Sequence, residues 1–313
     1  MRLLVTGASG FTGTALMRLL RPDKNIDITG LTRGGRPLSP QVPGVTWVTA
    51  DLLDHDRLCE IVSTAQPDAI IHLAGLNLGR PADLIATNIS GTQNLLEAAK
   101  AANPACRILV TSSSAVYGYQ GTAPIKEENP VQPQTEYGAA KAGMEILAEM
   151  HHRAKGIRVA IVRPFNLVGP GQTEAFLCGK IVRQVCEIEQ GRREVLDLFE
   201  TQSSRDFIDV RDIVRAYLAL ITHPRFAEDC AGTIFNVGSG RSCPINEVIA
   251  ILEEITGRTL PVRLPAGPSK ISIPSQQSDN SRISCITGWT PWISLEQTLR
   301  DMLLAQSEEK IQS

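Results

Sequence analysis

The seven cysteines of this 313-residue chain, Cys59, Cys106, Cys178, Cys186, Cys230, Cys243 and Cys285, form no C-x-x-C pair and make an odd count. That argues against both a disulfide framework and a zinc site, so reduced core thiols and no metal are expected. No apolar run approaches the roughly 18 residues of a membrane span, and the N-terminus enters a strand-like segment without a signal pattern. The expected compartment is the cytoplasm. Neither sign of charge dominates: the net charge is −2 with acidic and basic residues interspersed, which gives no nucleic-acid surface and no basic membrane-binding face. No internal repeat is evident. What the chain does have is 42% hydrophobic residues, enough for one large or two modest domains.

Apolar runs of strand length alternate with helical patterns: Ile26 to Leu31, Val45 to Val48, Ala69 to Leu73, Arg107 to Val110 and Arg158 to Val162. This rhythm predicts an α/β fold, a doubly wound parallel sheet of Rossmann type covered by helices on both faces. Long helices are expected from about Asp83 to Ala102 and from Glu136 to Lys155. After Arg163-Pro164 the rhythm breaks, and a smaller mixed α/β substrate domain should begin. The expected division is residues 1–165 for a dinucleotide-binding domain and 166–313 for a substrate-binding domain. A segment near 206–240 should return to the first domain, with a strand near Thr233 to Val237. The polar tail from Gln306 onward should fray.

The segment RLLVTGASGFTG runs from a strand (Leu3-Leu4-Val5) through Gly7, Gly10 and Gly13 into a helical pattern. Strand, glycine turn and helix in this order form a dinucleotide cradle. Gly7 permits the tight turn, Gly10 lets the backbone approach a pyrophosphate, and Gly13 allows helix and strand to pack closely. Glycines also mark ordinary loops, and it is the place after an N-terminal strand that raises this triplet.

Tyr137-Gly-Ala-Ala-Lys141 places a phenol and an ammonium four residues apart on one helical face. A positive charge beside a tyrosine favours the phenolate, and a phenol tuned in this way can pass a proton near neutral pH. Taken alone the pair could equally be a half-buried aromatic and a solvated lysine. The preceding glycine cradle and the TSSSAVYG segment favour the chemical reading. Cofactor choice is legible at the end of the second strand, where Thr32 and Arg33 stand in place of the acid that would bind the ribose of NAD. A guanidinium suits a 2′-phosphate, so NADP(H) is favoured with NAD(H) possible, although Arg33 and Arg36 could also be simple loop charges.

The set TGASGFTG, Asp51-Leu52, HLAG, Asn88, TSSSAVYG, YGAAK and RPFN resembles the extended short-chain dehydrogenase/reductase family, also called the NAD-dependent epimerase/dehydratase family, which acts on nucleotide-activated sugars. Within it, RPFNLVGPGQ, RDFIDVRDIVRAYLAL and FNVGSG are similar to the branch of GDP-mannose 4,6-dehydratases and GDP-4-keto-6-deoxymannose reductases, the reductases more closely. The resemblance implies cofactor contacts from Gly7, Ser9, Gly10, Phe11, Thr12, Gly13, Thr32, Arg33, Asp51, Leu52, Leu73, Ala74, Gly75, Asn88, Tyr137, Lys141 and Pro164. It implies Ser113, Tyr137 and Lys141 as the catalytic set, with Ser113 on the C4 oxygen of the sugar, Tyr137 as acid or base, and Lys141 on the nicotinamide ribose and lowering the tyrosine pKa. Ser113, Ser114, Asn166, Lys180, Arg183 and Arg205 would contact the substrate, the cations serving its two phosphates.

Related dehydratases carry an acid two positions after the catalytic Ser or Thr, and here that position is Ala115. Dehydration is therefore disfavoured. The expected reaction is NADPH-dependent reduction of the C4 keto group of a nucleotide-diphosphate 4-keto-6-deoxy sugar. The alternative is a 4-epimerase that keeps its cofactor; a non-catalytic NADP-binding protein is opposed by retention of Ser113, Tyr137 and Lys141. The segment between Gly75 and Asn88 is shorter than in the related reductases, which bears on the choice of sugar and base. A homodimer is expected, its two long helices pairing through Ala98, Ala99, Ala101 and Ala102.

Overall fold

The computed structural model describes residues 1–20, 25–34, 44–265 and 273–311. Strand β1 (Arg2–Thr6) is apolar on both faces because it lies inside the sheet with helices above and below it. Its Leu3 and Val5 enter one core and Leu4 the other, following the two-residue period of a strand. The remaining strands of this sheet are β2 (Asp27–Thr32), β3 (Val45–Thr49), β4 (Ala69–His72), β5 (Arg107–Thr111), β6 (Arg158–Pro164) and, far along the chain, β11 (Ile234–Val237). All pair in parallel in the order β11-β6-β5-β4-β1-β2-β3. Strand order reverses at β1 and β4, which opens a crevice at their carboxyl ends where such sheets bind ligands.

Helices cover both faces of this sheet. On one face α1 (Phe11–Leu20) brings Leu16 and Met17 and α7 (Val210–Ile221) brings Ile213 and Tyr217 onto Leu3, Val5, Ile71 and Leu109. On the other, Leu58 of α2 (His55–Ala65), Leu95 and Leu96 of α4 (Gly91–Ala102), and Met144 and Ala148 of α5 (Glu136–Lys155) pack on Leu4, Ile70, Ile108 and Val110. A third core joins α6 (Leu177–Glu189), α8 (Ile245–Thr256) and α10 (Leu295–Ile311). Short strand pairs accompany it: β7 (Asn166–Val168) with β10 (Phe207–Asp209), β8 (Leu196–Asp197) with β13 (Val262–Arg263), and β9 (Ser204–Arg205) with β12 (Cys243–Pro244). Helix α9 (Ser281–Thr287) packs back against β11.

The helix expected over Asp83–Ala102 is interrupted. Helix α3 (Pro81–Ile85) passes into a wide π-turn over Ala86–Ser90 before α4 begins. Its cause is local: the Asn88 side-chain amide donates to the Leu84 carbonyl at 2.9 Å, the acceptor an α-helix would give to the Asn88 backbone. A second bond from the same amide reaches the Leu76 carbonyl at 2.9 Å. Such turns recur at functional sites, and in this one Asn88 lies against Gly75, which lines the crevice. Ala98 and Ala99, expected at a subunit interface, are 2% and 0% exposed inside the protomer's own core, because that face of α4 covers the sheet.

Candidate active site

Helix α5 starts where Thr135, in extended backbone, accepts a hydrogen bond from the Gly138 N–H at 3.1 Å. One turn on, Lys141 is 5% exposed and donates from Nζ to the Thr111 carbonyl at 2.8 Å, at the end of β5. Burial pushes this ammonium down to about 8, with Glu145 opposing the shift. Glu145 is itself committed to Arg163 at 2.6 and 2.9 Å, a buried pair that ties α5 to β6. Tyr137 is partly open to the cleft, and burial raises its pKa while the Ser113 side chain opposes. Lys141 is turned to the strand end, and in the absence of cofactor burial, opposed by Ser113, sets the direction of the Tyr137 shift.

Ser113 stands in extended backbone just past β5, its Oγ accepting from the Ala115 N–H at 3.2 Å. Ser113, Ser114, Ala115, Tyr137 and Lys141 line one wall of a cleft of about 640 Å³ at the carboxyl ends of the strands. Gly7, Gly10, Phe11, Thr12, Gly13, Leu73, Gly75 and Pro164 line its other end, and Asn166 and Arg205 face it from the third core's side. The glycine turn is tight enough to require its residue types. Gly7 has φ +67°, and a Cβ there would meet the Ala74 backbone nitrogen at 2.8 Å; a Cβ on Gly13 would overlap the Gly7 carbonyl oxygen.

This end fits a dinucleotide. The backbone is bare at Gly7 and Gly10, the helix α1 N-terminus faces the cleft, and Asn88 Oδ1 is buried beside Gly75 without a hydrogen-bond partner. Behind the turn, Thr6 Oγ1 meets His72 Nδ1 at 2.6 Å, and His72 Nε2 meets Thr92 Oγ1 at 3.0 Å. Thr92 donates on to the Asn88 carbonyl at 2.6 Å, and the Ala74 N–H donates to Thr6 Oγ1 at 3.2 Å. That chain is satisfied with His72 as the neutral Nε2–H tautomer, in keeping with a pKa lowered to about 3 by burial and then by the Lys141 charge. It joins the glycine-turn strand to the π-turn that carries Asn88.

Other expected cofactor residues lie beyond the cleft lining. Ser9 Oγ bonds Thr32 Oγ1 at 3.0 Å, linking the turn to the end of β2; Arg33 is exposed just after it, and Arg36 lies outside the described residues. Asp51 is exposed and accepts from the Leu53 N–H at 2.9 Å, while Leu52 is buried beneath Gly91.

The substrate cations separate. Arg205 lines the cleft, donates to the Ser204 and Ile273 carbonyls at 2.9 and 2.8 Å, and makes no ion pair among the described residues. Asp209 and Asp212, its conceivable partners, are taken by Arg211 and Arg215. Burial disfavours the Arg205 charge, with Glu200 opposing, so an anion in the cleft would relieve it. Lys180 and Arg183 do not line the cleft. Lys180 Nζ sits 4.8 Å over the exposed Phe199 ring, and exposed Arg183 bonds Glu174 at 2.8 Å and Glu187 at 3.3 Å. Sequence reasoning missed Leu76, Asn77, Phe176, Leu177, Tyr217 and Gln276, all of which line the cleft. Gln276 Nε2 is buried with no hydrogen-bond partner, in a PSQQS stretch that carries no local signal.

A parallel sheet with a switch-point crevice, a glycine cradle and a Ser-Tyr-Lys set define a nucleotide-cofactor enzyme of the extended short-chain dehydrogenase/reductase type. The chain belongs to the NAD dependent epimerase/dehydratase family, whose model matches residues 3–238. It is 35% identical over 311 aligned residues to GDP-6-deoxy-D-mannose reductase of Pseudomonas aeruginosa, covering 96% of each chain. A UDP-glucose 4-epimerase of Azospirillum brasilense is 28% identical, with 93% of this chain and 87% of that protein covered. The structure of RMD from Pseudomonas aeruginosa complexed with NADPH superimposes with a TM-score of 0.85 at 32% identity, over 98% of this chain and 99% of that one.

Proposed function

We propose that this protein reduces the C4 keto group of a nucleotide-activated 4-keto-6-deoxy sugar with NADPH, the sugar nucleotide being of the GDP-4-keto-6-deoxymannose kind. The observation that carries this reading is the cleft lining, where Ser113 and Tyr137 offer hydroxyls that a sugar ketone could meet and Ala115 offers no carboxylate to remove a C5 proton. Likeness to GDP-6-deoxy-D-mannose reductase across nearly the whole chain supports the base and the sugar.

Bound NADPH would supply the hydride to C4. Its pyrophosphate would rest on Gly7, Gly10 and Gly13, with Arg33 available to a 2′-phosphate. Ser113 donates a hydrogen bond to the C4 oxygen, and the protonated Tyr137 phenol, held above its ordinary pKa by burial, hands its proton to that oxygen as it becomes an alkoxide. Lys141 presents a buried positive charge beneath this point. Arg205 clamps the diphosphate, and Asn166 and Gln276 supply neutral polar contacts. Residues 1–165 with 206–240 are read as the cofactor part and 166–313 as the substrate part.

The second reading is a 4-epimerase, favoured by likeness to UDP-glucose 4-epimerases. Stoichiometry separates the two: a reductase consumes one NADPH per sugar, whereas an epimerase shows no net absorbance change at the nicotinamide band. The test is a panel of GDP-, UDP-, CDP- and dTDP-4-keto-6-deoxy sugars with NADPH. Turnover is expected with the GDP sugar, and Tyr137→Phe should lower kcat by at least about 100-fold, the range of general acid catalysis. Undiminished turnover in that variant would falsify the assignment of Tyr137. A cytoplasmic homodimer completes the proposal. It is supported by seven cysteines that form no disulfide and by exposed Ile85 and Ile146 on neighbouring α3 and α5; sedimentation as a monomer would remove the dimer.

A further inference from the structure

Tyr217 is 0% exposed, its ring packed in the core between α7 and the sheet, yet its side chain reaches the floor of the cleft. Its hydroxyl is buried beside the Thr111 hydroxyl, near enough for that side chain to act on it, and makes no well-formed hydrogen bond among the described residues. The same holds for Thr111 Oγ1, at the end of β5 and also on the cleft floor. A buried hydroxyl left unpaired is costly, and two of them at one place in a binding cleft point to a ligand that satisfies both.

Strand alternation says which ligand. Leu109 of β5 faces the α1 and α7 layer and Val110 the α5 layer, so Thr111 returns to the α1 and α7 side. Tyr137 and Lys141 enter the cleft from α5, while the pyrophosphate cradle is the start of α1. Tyr217 and Thr111 therefore lie on the cofactor's side of the cleft, beyond the pyrophosphate and close to Tyr137. Neutral hydroxyls can each donate and accept, and this apolar floor does not favour a charge. A primary amide, with its N–H donors and carbonyl acceptor, matches the pair.

We propose that Tyr217, with Thr111, binds the carboxamide of the nicotinamide ring and so fixes which ring face is turned to the sugar. The assignment rests on the NADPH reading above. Burial raises the Tyr217 pKa, Thr111 opposes and Tyr137 adds to it, so the hydroxyl stays protonated and able to donate throughout the working range.

The test is Tyr217→Phe, which removes one oxygen and keeps the ring. In thermal unfolding without cofactor the variant should be at least as stable as the wild type and up to about 2–4 °C higher, because an unpaired buried hydroxyl is gone. In fluorescence titration its Kd for NADPH should rise about 5-fold, the worth of one hydrogen bond. The preference of the wild type for NADPH over its 3-acetylpyridine analogue, which lacks the amide N–H, should narrow in the variant. Thr111→Val should reproduce the loss of affinity if Tyr217→Phe does not fold. A lower melting temperature with unchanged NADPH affinity would show a purely structural tyrosine. An unchanged NADPH Kd with a raised KM for the sugar would assign the hydroxyl to the sugar instead. Either result overturns the proposal. Failure of the wild type to bind NADPH in the same titration would overturn both the proposal and the cofactor reading beneath it.

Discussion

Replacing Lys141 with methionine should make the cofactor-free protein more stable at pH 7 while abolishing its turnover. Lys141 titrates near 8, against an ordinary value of 10.5, because burial disfavours its charge. The difference of 2.5 units (10.5 − 8), at about 1.4 kcal/mol per unit, corresponds to about 3 kcal/mol. Below pH 8 both folded and unfolded chains carry the proton, so the folded protein bears the whole penalty. Between 8 and 10.5 the unfolded chain keeps a proton that the folded one has released, and stability rises with pH; above 10.5 the penalty is gone. Methionine removes the charge but also the bond to the Thr111 carbonyl, worth about 1 kcal/mol, which leaves a net gain of about 2 kcal/mol at pH 7. Urea unfolding of both proteins without NADPH, at intervals from pH 7 to 9.5, measures this directly. The wild type should gain stability from pH 8 upward, and Lys141→Met should be flat over that interval apart from changes common to both. A variant less stable than wild type at pH 7, or one with the same slope, would refute the idea that the lysine is held at an energetic cost in the free protein.

Glu145→Ala leaves the Arg163 guanidinium, whose side chain is 3% exposed, without its partner and should cost about 3–5 kcal/mol in urea unfolding. Gly13→Ala drives a methyl into the glycine turn and should cost about 1–3 kcal/mol while weakening NADPH binding in a fluorescence titration. Arg33→Ala should lower kcat/KM for NADPH by about 10-fold or more through loss of a charge-assisted bond and leave that for NADH unchanged. Equal effects on the two cofactors would remove the 2′-phosphate role.

The parts of this molecule that were legible in one dimension are those whose physics is local. Leu3-Leu4-Val5 had to be buried on two faces, and Gly7 had to carry a positive φ. Tyr137 and Lys141 had to share a helical face. The π-turn was not legible, because Asn88 departs from the α-helix partly to bond Leu76, in the loop before the helix. Nor was the fate of the cations. Arg183 and Arg205 are the same residue type in similar company, yet only Arg205 is brought to the cleft and left without a carboxylate.

The chain order of residue types thus determined the individual strands, the glycine turn and the shared helical face of Tyr137 and Lys141, since each depends on spacings of a few residues. Folding alone decided which buried groups stay unpaired in the cleft. Tyr217 against Thr111, Gln276 on the substrate wall and the Glu145–Arg163 pair beneath Lys141 depend on elements 18 or more positions apart, and burial and desolvation at such sites exist only once the layers have closed.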